Sequence, residues 1–298
     1  MNGILPIDKP SDFTSFDVIA KLRGVTHTRK IGHSGTLDPM ATGVLPLFFG
    51  KATKVCSILP DEDKCYIAGI KFGITTDTQD IGGKIIEEKP SAVSKEQFNE
   101  LVKGFVGKQK QTPPMYSAVK VGGIPLYDIA RKGKEIERAQ KDIEIYSISV
   151  LNFDEAAQTA EIEVSCGKGT YIRTLIADMG EKLGFGAAMT SLRRTRATGF
   201  SIDDCYTIDE VSSFMKDGTL EEKLIPIDRL FENLPRLILS EFDERLYKNG
   251  VPLELGKRRW NAIDGDIAVY GKSGELLGIS YMDIEADELH LKKMLYIK

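Results

Sequence analysis

One carboxylate in this 298-residue chain stands in an unusual setting. Asp38 closes the run Gly32-His33-Ser34-Gly35-Thr36-Leu37-Asp38-Pro39, followed by Met40-Ala41-Thr42-Gly43-Val44-Leu45, so its neighbours are small or apolar. Glycines at 32, 35 and 43 permit close backbone approach. Pro39 biases Asp38 toward extended backbone, which projects its side chain from a loop or a strand edge. Asp38 is therefore the candidate reactive group. An Asp-Pro step also starts turns, and the octapeptide alone leaves both readings open.

The flanking segments must hold this run in place. Thr14 and Asp17 form a capping pair for a helix that carries Val18, Ile19 and Leu22 inward to a stop at Gly24. Val44 to Phe49 is an apolar run of strand length, and Lys64 to Phe72 alternates, with Tyr66, Ala68, Ile70 and Phe72 on one face. Thr75 to Asp80 makes a polar loop, and Ser94 with Gln97 caps a helix bearing Phe98, Leu101, Val102 and Phe105 up to Gly107. Ile143 to Phe153 and Glu161 to Cys166 read as a strand pair. Gly167 to Thr170 then turns into a helix with an Ile172, Leu175, Ile176, Met179, Leu183 stripe ending at Gly184. Tyr171 and Arg173 fall at its start, outside the stripe. The Gly-x-Gly turn lacks a full nucleotide-binding fingerprint, so no cofactor is assigned.

Composition limits the class. With 42% hydrophobic residues the chain can bury a large core and form one large domain and a small one. Cys56, Cys65, Cys166 and Cys205 are scattered without metal-ligand spacing, so no metal is expected and a reducing compartment fits. Met1-Asn2-Gly3-Ile4 opens without a basic start and apolar stretch, and no apolar run reaches membrane-spanning length, which favours a cytoplasmic protein with no membrane association. The formal net charge of -4 does not by itself suggest nucleic acid, but Leu101 to Lys141 holds nine basic residues against three acidic ones. Such a segment presents either a phosphate-gripping arm, drawn here at 108–141, or ordinary solvated surface; the double proline at 113–114 makes part of it irregular, before a short helix over Leu126 to Lys132 closed by Gly133. Ser191 to Arg196 reads as a further short basic cluster. Thr207 and Glu210 cap another helix, and near Leu234 the composition shifts toward a small, mostly β module with a capped helix from Ser240 to Gly250 and short strands at Ile267 to Tyr270 and Leu276 to Tyr281.

Taken together, Asp8-Lys9-Pro10 with Thr14-Ser15, the Gly32 to Pro39 run, Tyr66 before Thr76-Asp77-Thr78-Gln79-Asp80, Met115-Tyr116-Ser117-Ala118 with Ala130 to Gly133, and Gly169-Thr170-Tyr171-Ile172-Arg173 resemble the bacterial tRNA pseudouridine synthase B (TruB) family over almost the whole chain. That family usually has glycine where Asp12 stands and commonly threonine where Ser34 stands. The resemblance implies an α+β pseudouridine-synthase-like fold, a mixed, mainly antiparallel sheet flanked by helices. It places a catalytic domain at 1–234 and a PUA-like RNA-binding domain at 235–298. It implies an isomerase that flips the T-loop uridine of tRNA out of its stack and rejoins it through carbon, with tRNA as partner, no protein partner, a monomeric state and no cofactor. A secondary role in tRNA folding also follows. By the same resemblance Asp38 is the catalytic carboxylate, Arg173 its charge partner, Tyr66 the stacking partner of the flipped base, Tyr171 and Leu192 the pocket lining, and His33 the group that helps extrude or replace the base. Lys9 either joins the site or builds a turn. Two other classes stay open: a glycoside hydrolase, which would need a second carboxylate such as Asp77 or Asp80, and a nonenzymatic RNA-binding protein with Asp38 structural.

Overall fold

The computed structural model describes residues 1–60, 62–258 and 260–296. Its first strand, β1 (Gly3–Lys9), leads to α1 (Ser15–Thr26), then to the short β2 (Ile31–His33) and β3 (Thr42–Phe49). Thr14 caps α1 with both reciprocal bonds of a capping box, a device that stabilises a helix start by about 1 kcal/mol. The helix runs through Gly24 rather than stopping there, and ends where His27 adopts φ 53°. Gly24 keeps ordinary helical backbone because its side-chain position meets open space, so nothing forces a break.

A 3₁₀ turn at Gly50–Ser57 precedes β4 (Lys64–Phe72), which has the expected bounds and buries Tyr66, Ala68, Ile70 and Phe72. The hairpin β5 (Ile74–Thr76) and β6 (Ile85–Glu88) follows, then α2 (Lys95–Lys103). This helix ends at Gly104, three residues short of Gly107, because Gly107 already takes φ 108° at the head of strand β7 (Gly107–Gln111). Phe105, past the helix end, is nonetheless buried. The basic segment holds a two-stranded hairpin, β8 (Lys120–Val121) with β9 (Ile124–Pro125), and α3 (Leu126–Ala130), shorter than its pattern suggested. The long hairpin β10 (Lys141–Asp154) and β11 (Thr159–Cys166) leads into α4 (Ile172–Leu183), capped at its end by Gly184 with φ 81°. Next comes β12 (Ala187–Ala197), where the sequence showed only a basic cluster, and then β13 (Phe200–Ser201). Helices α5 (Ile208–Asp217) and α6 (Leu220–Lys223) lead to β14 (Arg236–Ile238), α7 (Glu241–Lys248), β15 (Leu253–Glu254), α8 (Leu255–Arg258), β16 (Asp266–Tyr270), β17 (Leu276–Asp283) and β18 (Glu288–Met294).

Nine strands form the main sheet in the order β1-β3-β12-β4-β11-β10-β7, with β2 also on β3 and β13 also on β12. Every pairing in it is antiparallel except β3 with β12. One face packs α1, α4 and α5 over Leu5, Ile7, Leu45, Leu47 and Tyr66; the other buries Ile4, Val44 and Phe48 against Ala268, Tyr270 and Ile279 of the second sheet. That sheet, β14-β16-β17-β18-β15, gives the chain a C-terminal β domain with a small core of its own around Leu237, Tyr247, Val269 and Leu277. No helix among the described residues is long and apolar enough to cross a membrane.

The parallel contact of β3 with β12 lasts only for Thr42 with Arg193 and Gly43 with Arg194, after which the two strands diverge. It requires glycine. Gly43 has φ 101°, and a Cβ there would sit 2.2 Å from the Arg194 carbonyl oxygen. Gly43→Ala is expected to destabilise the fold by about 3 kcal/mol or more, read as a lower urea midpoint, because neither backbone can yield without parting the strands.

Candidate active site

The loop 34–41 leaves the sheet where β2 and β12 splay apart on β3. Bonds to its neighbours and one within the loop fix it. Ser15 Oγ accepts from Leu37 N at 2.9 Å and lies 3.3 Å from Leu37 O, tying the loop to α1. Asp12 N donates to Pro39 O at 2.9 Å, and Ala41 N donates to Asp38 O at 3.1 Å. Buried Lys9 donates from Nζ to Pro10 O at 2.8 Å, Phe13 O at 2.5 Å and Pro39 O at 3.1 Å. Lys9 thus does more than build a turn: its ammonium gathers three carbonyls around the base of the Asp38 loop.

Both departures from the family pattern have a structural setting. Asp12 sits at φ 64°, where glycine costs nothing and aspartate about 1 kcal/mol. Ser34 Oγ bonds Thr198 Oγ1 at 2.9 Å, a contact that needs only the hydroxyl.

Arg173 is buried, not a surface cation, and it organises the centre of the site. Its Nε lies 2.9 Å from Asp38 Oδ2 and its Nη2 donates to Asp38 Oδ1 at 3.1 Å, a two-point grip. The same guanidinium donates to Thr78 O at 3.0 Å and Tyr116 O at 2.9 Å, and Asp80 Oδ2 stands 3.7 Å from Nη1. One side chain therefore joins the Asp38 loop, the polar loop after β5 and the irregular start of the basic segment. Asp80 serves as second counter-charge to Arg173, with its Oδ1 taken by Thr78 Oγ1 at 2.8 Å and Gly82 N at 3.0 Å. Asp77 accepts from Lys84 N at 2.8 Å and closes its loop. Both of the carboxylates that kept a hydrolase open are engaged in holding loops.

Burial raises the Asp38 carboxyl above its ordinary value, Arg173 opposes the rise and Asp80 adds to it. The fold thus favours the protonated acid, so this group's stabilising contribution is present at low pH and lost as pH climbs through its folded pKa. Burial lowers Lys9 to about 8, with Asp38 pulling the other way. The unfolded chain then binds that proton more tightly, and stability should rise with pH between about 8 and 10.5. Urea melts across this range should show a slope of at most about 1.4 kcal/mol per pH unit, and Lys9→Met should flatten it.

Tyr66, on β4, is buried, and burial raises its phenol while Arg194 opposes the rise; Asp38 adds to it. Tyr171 is the residue before α4 and is also raised by burial, with Ser117, Arg173 and Asp38 within electrostatic reach. Leu192 lies on β12 opposite Ala68 of β4 and packs in the same core as Tyr66. These three side chains come from the adjoining strands β4 and β12 and the α4 start, and Asp38 comes from the loop 34–41. His33 ends β2; burial and then Arg194 lower its pKa, and the nearby Gly35 backbone opposes them.

Two members of this assembly escaped sequence reasoning. Gln111, buried at the end of β7, accepts from Tyr171 N at 2.8 Å and donates to Tyr171 O at 3.1 Å, so it presets the entry to α4. Arg194, fully buried on β12, donates from Nε to Val44 O at 2.7 Å and from Nη2 to Gly35 O at 3.2 Å. The signal for it was alternation: Leu192 and Arg194 face inward while Arg193 points outward to Asp8, 2.8 Å away.

A cavity of about 720 Å³ lies by β7 and β10, lined by Glu62, Lys108, Lys110, Tyr146 and Lys168; none of the Asp38 group borders it. The basic residues Lys108, Lys110, Lys120, Arg131, Lys132, Lys134 and Lys141 are exposed, and Lys108 and Lys110 also blunt the sheet edge that β7 forms.

Comparison with known proteins identifies the family of the chain. A model of the TruB family pseudouridylate synthase N-terminal domain covers residues 23–172, and one of the tRNA pseudouridylate synthase B C-terminal domain covers 173–232. The chain is 41% identical over 287 residues to tRNA pseudouridine synthase B of Bacillus subtilis (strain 168), spanning 94% of this chain and 93% of that one. It is 43% identical over 258 residues to the protein of that name from Listeria welshimeri serovar 6b, spanning 85% and 84%. In fold it resembles a chain of an H/ACA ribonucleoprotein bound to a substrate RNA containing 2'-deoxyuridine, with TM-score 0.74, 22% identity and coverage of 99% and 85%. A Cbf5-Nop10-Gar1 complex gives TM-score 0.73 at 25% identity, with the same coverage. The chain belongs to the TruB family of pseudouridylate synthases.

Proposed function

We propose that this protein is a tRNA pseudouridine synthase that isomerises the T-loop uridine, and that Asp38 is its catalytic carboxylate. The observation that carries the reading is the Asp38–Arg173 grip, set beside Tyr66, Tyr171 and Leu192. A uridine stacked in a folded loop hides its glycosidic bond, so the base must be extruded before any group can reach C1'. Tyr66 offers a flat face to the flipped ring, Tyr171 and Leu192 line the pocket, and His33, neutral near pH 7, takes part in extrusion. Asp38 acts at C1' in its ionised form, which Arg173 favours against the effect of burial.

The exposed lysines and arginines of 108–141 grip RNA phosphates, and residues 235–298 form a PUA-like unit that adds RNA contacts. The isomerisation is redox-neutral and uses only the substrate's own atoms. The test is a T-loop stem labelled with tritium at uridine C5. Wild-type protein with no added cofactor should release tritium in step with pseudouridine formation, and absence of release would end the proposal.

A further inference from the structure

Among the described residues, the buried cations of this site are held in different ways: Lys9 has three carbonyls for its three donors, Arg173 has carboxylates, and Arg194 is left with a donor unused. Arg173 has Asp38 and Asp80. Arg194 is 0% exposed, yet among the described residues no carboxylate lies within ion-pair distance of it. Two of its nitrogens are spent on the carbonyls of Val44 and Gly35, and Nη1 has no hydrogen-bond partner among the described residues. Burying an unpaired guanidinium is costly, so its retention in a packed strand calls for a return elsewhere.

Its position indicates what that return is. Arg194 pairs in register with Tyr66 across β12 and β4, so both side chains rise from the same face about 5 Å apart. Through Gly35 O it holds the loop that carries Asp38, and through Val44 O it holds β3 at the splay of the sheet. Nη1 points toward Gly35, where a Cβ would come within 3.5 Å of it. With Lys9, Arg173 and Arg194 as cations and Asp38 and Asp80 as carboxylates, the site carries one more positive charge than it neutralises.

The proposed isomerisation creates a matching negative charge. The C1'–N1 bond breaks with its electron pair on the uracil, C5 bonds to C1', C5 loses its proton and N1 gains one. Between these events the base is an anion stacked on Tyr66. We propose that Arg194 is a positioning residue that holds Tyr66 and the Asp38 loop in register and supplies the uncompensated positive field toward the departing uracil anion. This rests on the pseudouridine synthase reading above. Charge fixed in a water-poor site before the reaction stabilises developing charge without reorganisation, an effect worth about 10²- to 10³-fold in rate for a single group.

The test measures single-turnover glycosidic cleavage by the full-length protein at saturating enzyme. It uses T-loop RNA carrying either uridine or 5-fluorouridine, whose base leaves as a more stable anion. Arg194→Met should slow uridine cleavage about 10²- to 10³-fold, slow 5-fluorouridine cleavage at least about tenfold less, and leave RNA affinity unchanged. Arg194→Lys, which keeps the charge and loses the fork, should lose less than about tenfold. The inference is overturned if folded Arg194→Met works within about threefold of wild type, or if both variants slow both bases equally, the result of a purely steric anchor. Should Arg194→Met not fold, Arg194→Lys decides alone: a loss above about 100-fold overturns the inference. Failure of the underlying reading is separate, since wild-type protein would then process neither RNA.

Discussion

Asp38→Asn is expected to lower tritium release by about 10⁴-fold or more while RNA affinity stays within about threefold. Asparagine keeps the shape of the side chain and an oxygen that can accept from Arg173 Nη2, 3.1 Å away in the native protein. It removes a carboxylate that combines partial exposure, a two-point guanidinium grip and proximity to Tyr66 and Tyr171. The amide places donors toward Arg173 Nε, which costs stability, but it also relieves the burial that raises the native carboxyl. These effects oppose one another, and the thermal midpoint should move by only a few degrees. Release at the wild-type rate would show that Asp38 shapes the loop and does no chemistry.

The second large effect is expected at Arg173. Arg173→Met leaves Asp38 and Asp80 near each other without their shared cation, so burial and mutual repulsion both push the Asp38 carboxyl further up. The protonated, idle fraction should then grow, with a rate loss of about 10³-fold at neutral pH and a stability loss of about 3–5 kcal/mol. The direction with pH is the sharper test. In the wild type the working form is the anion, so the rate climbs through the Asp38 pKa and its acid limb lies above the ordinary aspartate value of about 3.9. In Arg173→Met that limb moves to higher pH, and raising the pH from 7 to 9 should restore part of the rate. Asp38→Asn should show no such recovery. If the Arg173→Met profile keeps the wild-type acid limb, Arg173 has only a structural part.

These effects are large because one guanidinium carries several connections. Arg173 also holds Thr78 O and Tyr116 O, so its loss loosens the polar loop and the base of the basic segment together with Asp38. Effects at Asp38 and Arg173 should therefore not add in the double variant.

Much of this could be read locally. The bounds of β4, the capping boxes at Thr14, Ser94 and Thr207, the β10–β11 hairpin and the Gly184 stop all depend on residues within a few positions of one another, where periodicity and capping chemistry act. The Asp38 setting was visible for the same reason: glycines and Pro39 restrict the backbone next to it. Several polar residues could not be placed locally because long-range contacts decided their surroundings. Arg194 read only as part of a short basic cluster, and the parallel meeting of β3 with β12, 150 residues apart along the chain, turned it inward to Val44 and Gly35. Lys9 stood open between the site and a turn until Pro39, 30 residues on, supplied one of three carbonyls for its ammonium. Gln111 likewise meets Tyr171 across 60 residues. The sequence by itself determined the capped helices, the alternating strands such as β4 and β11, and the unusual setting of one carboxylate, because those rest on local sterics and hydrophobic period. Only the tertiary structure decided which cations are buried, what neutralises them and which is left unpaired, because a side chain's solvation depends on the strands and loops that close over it.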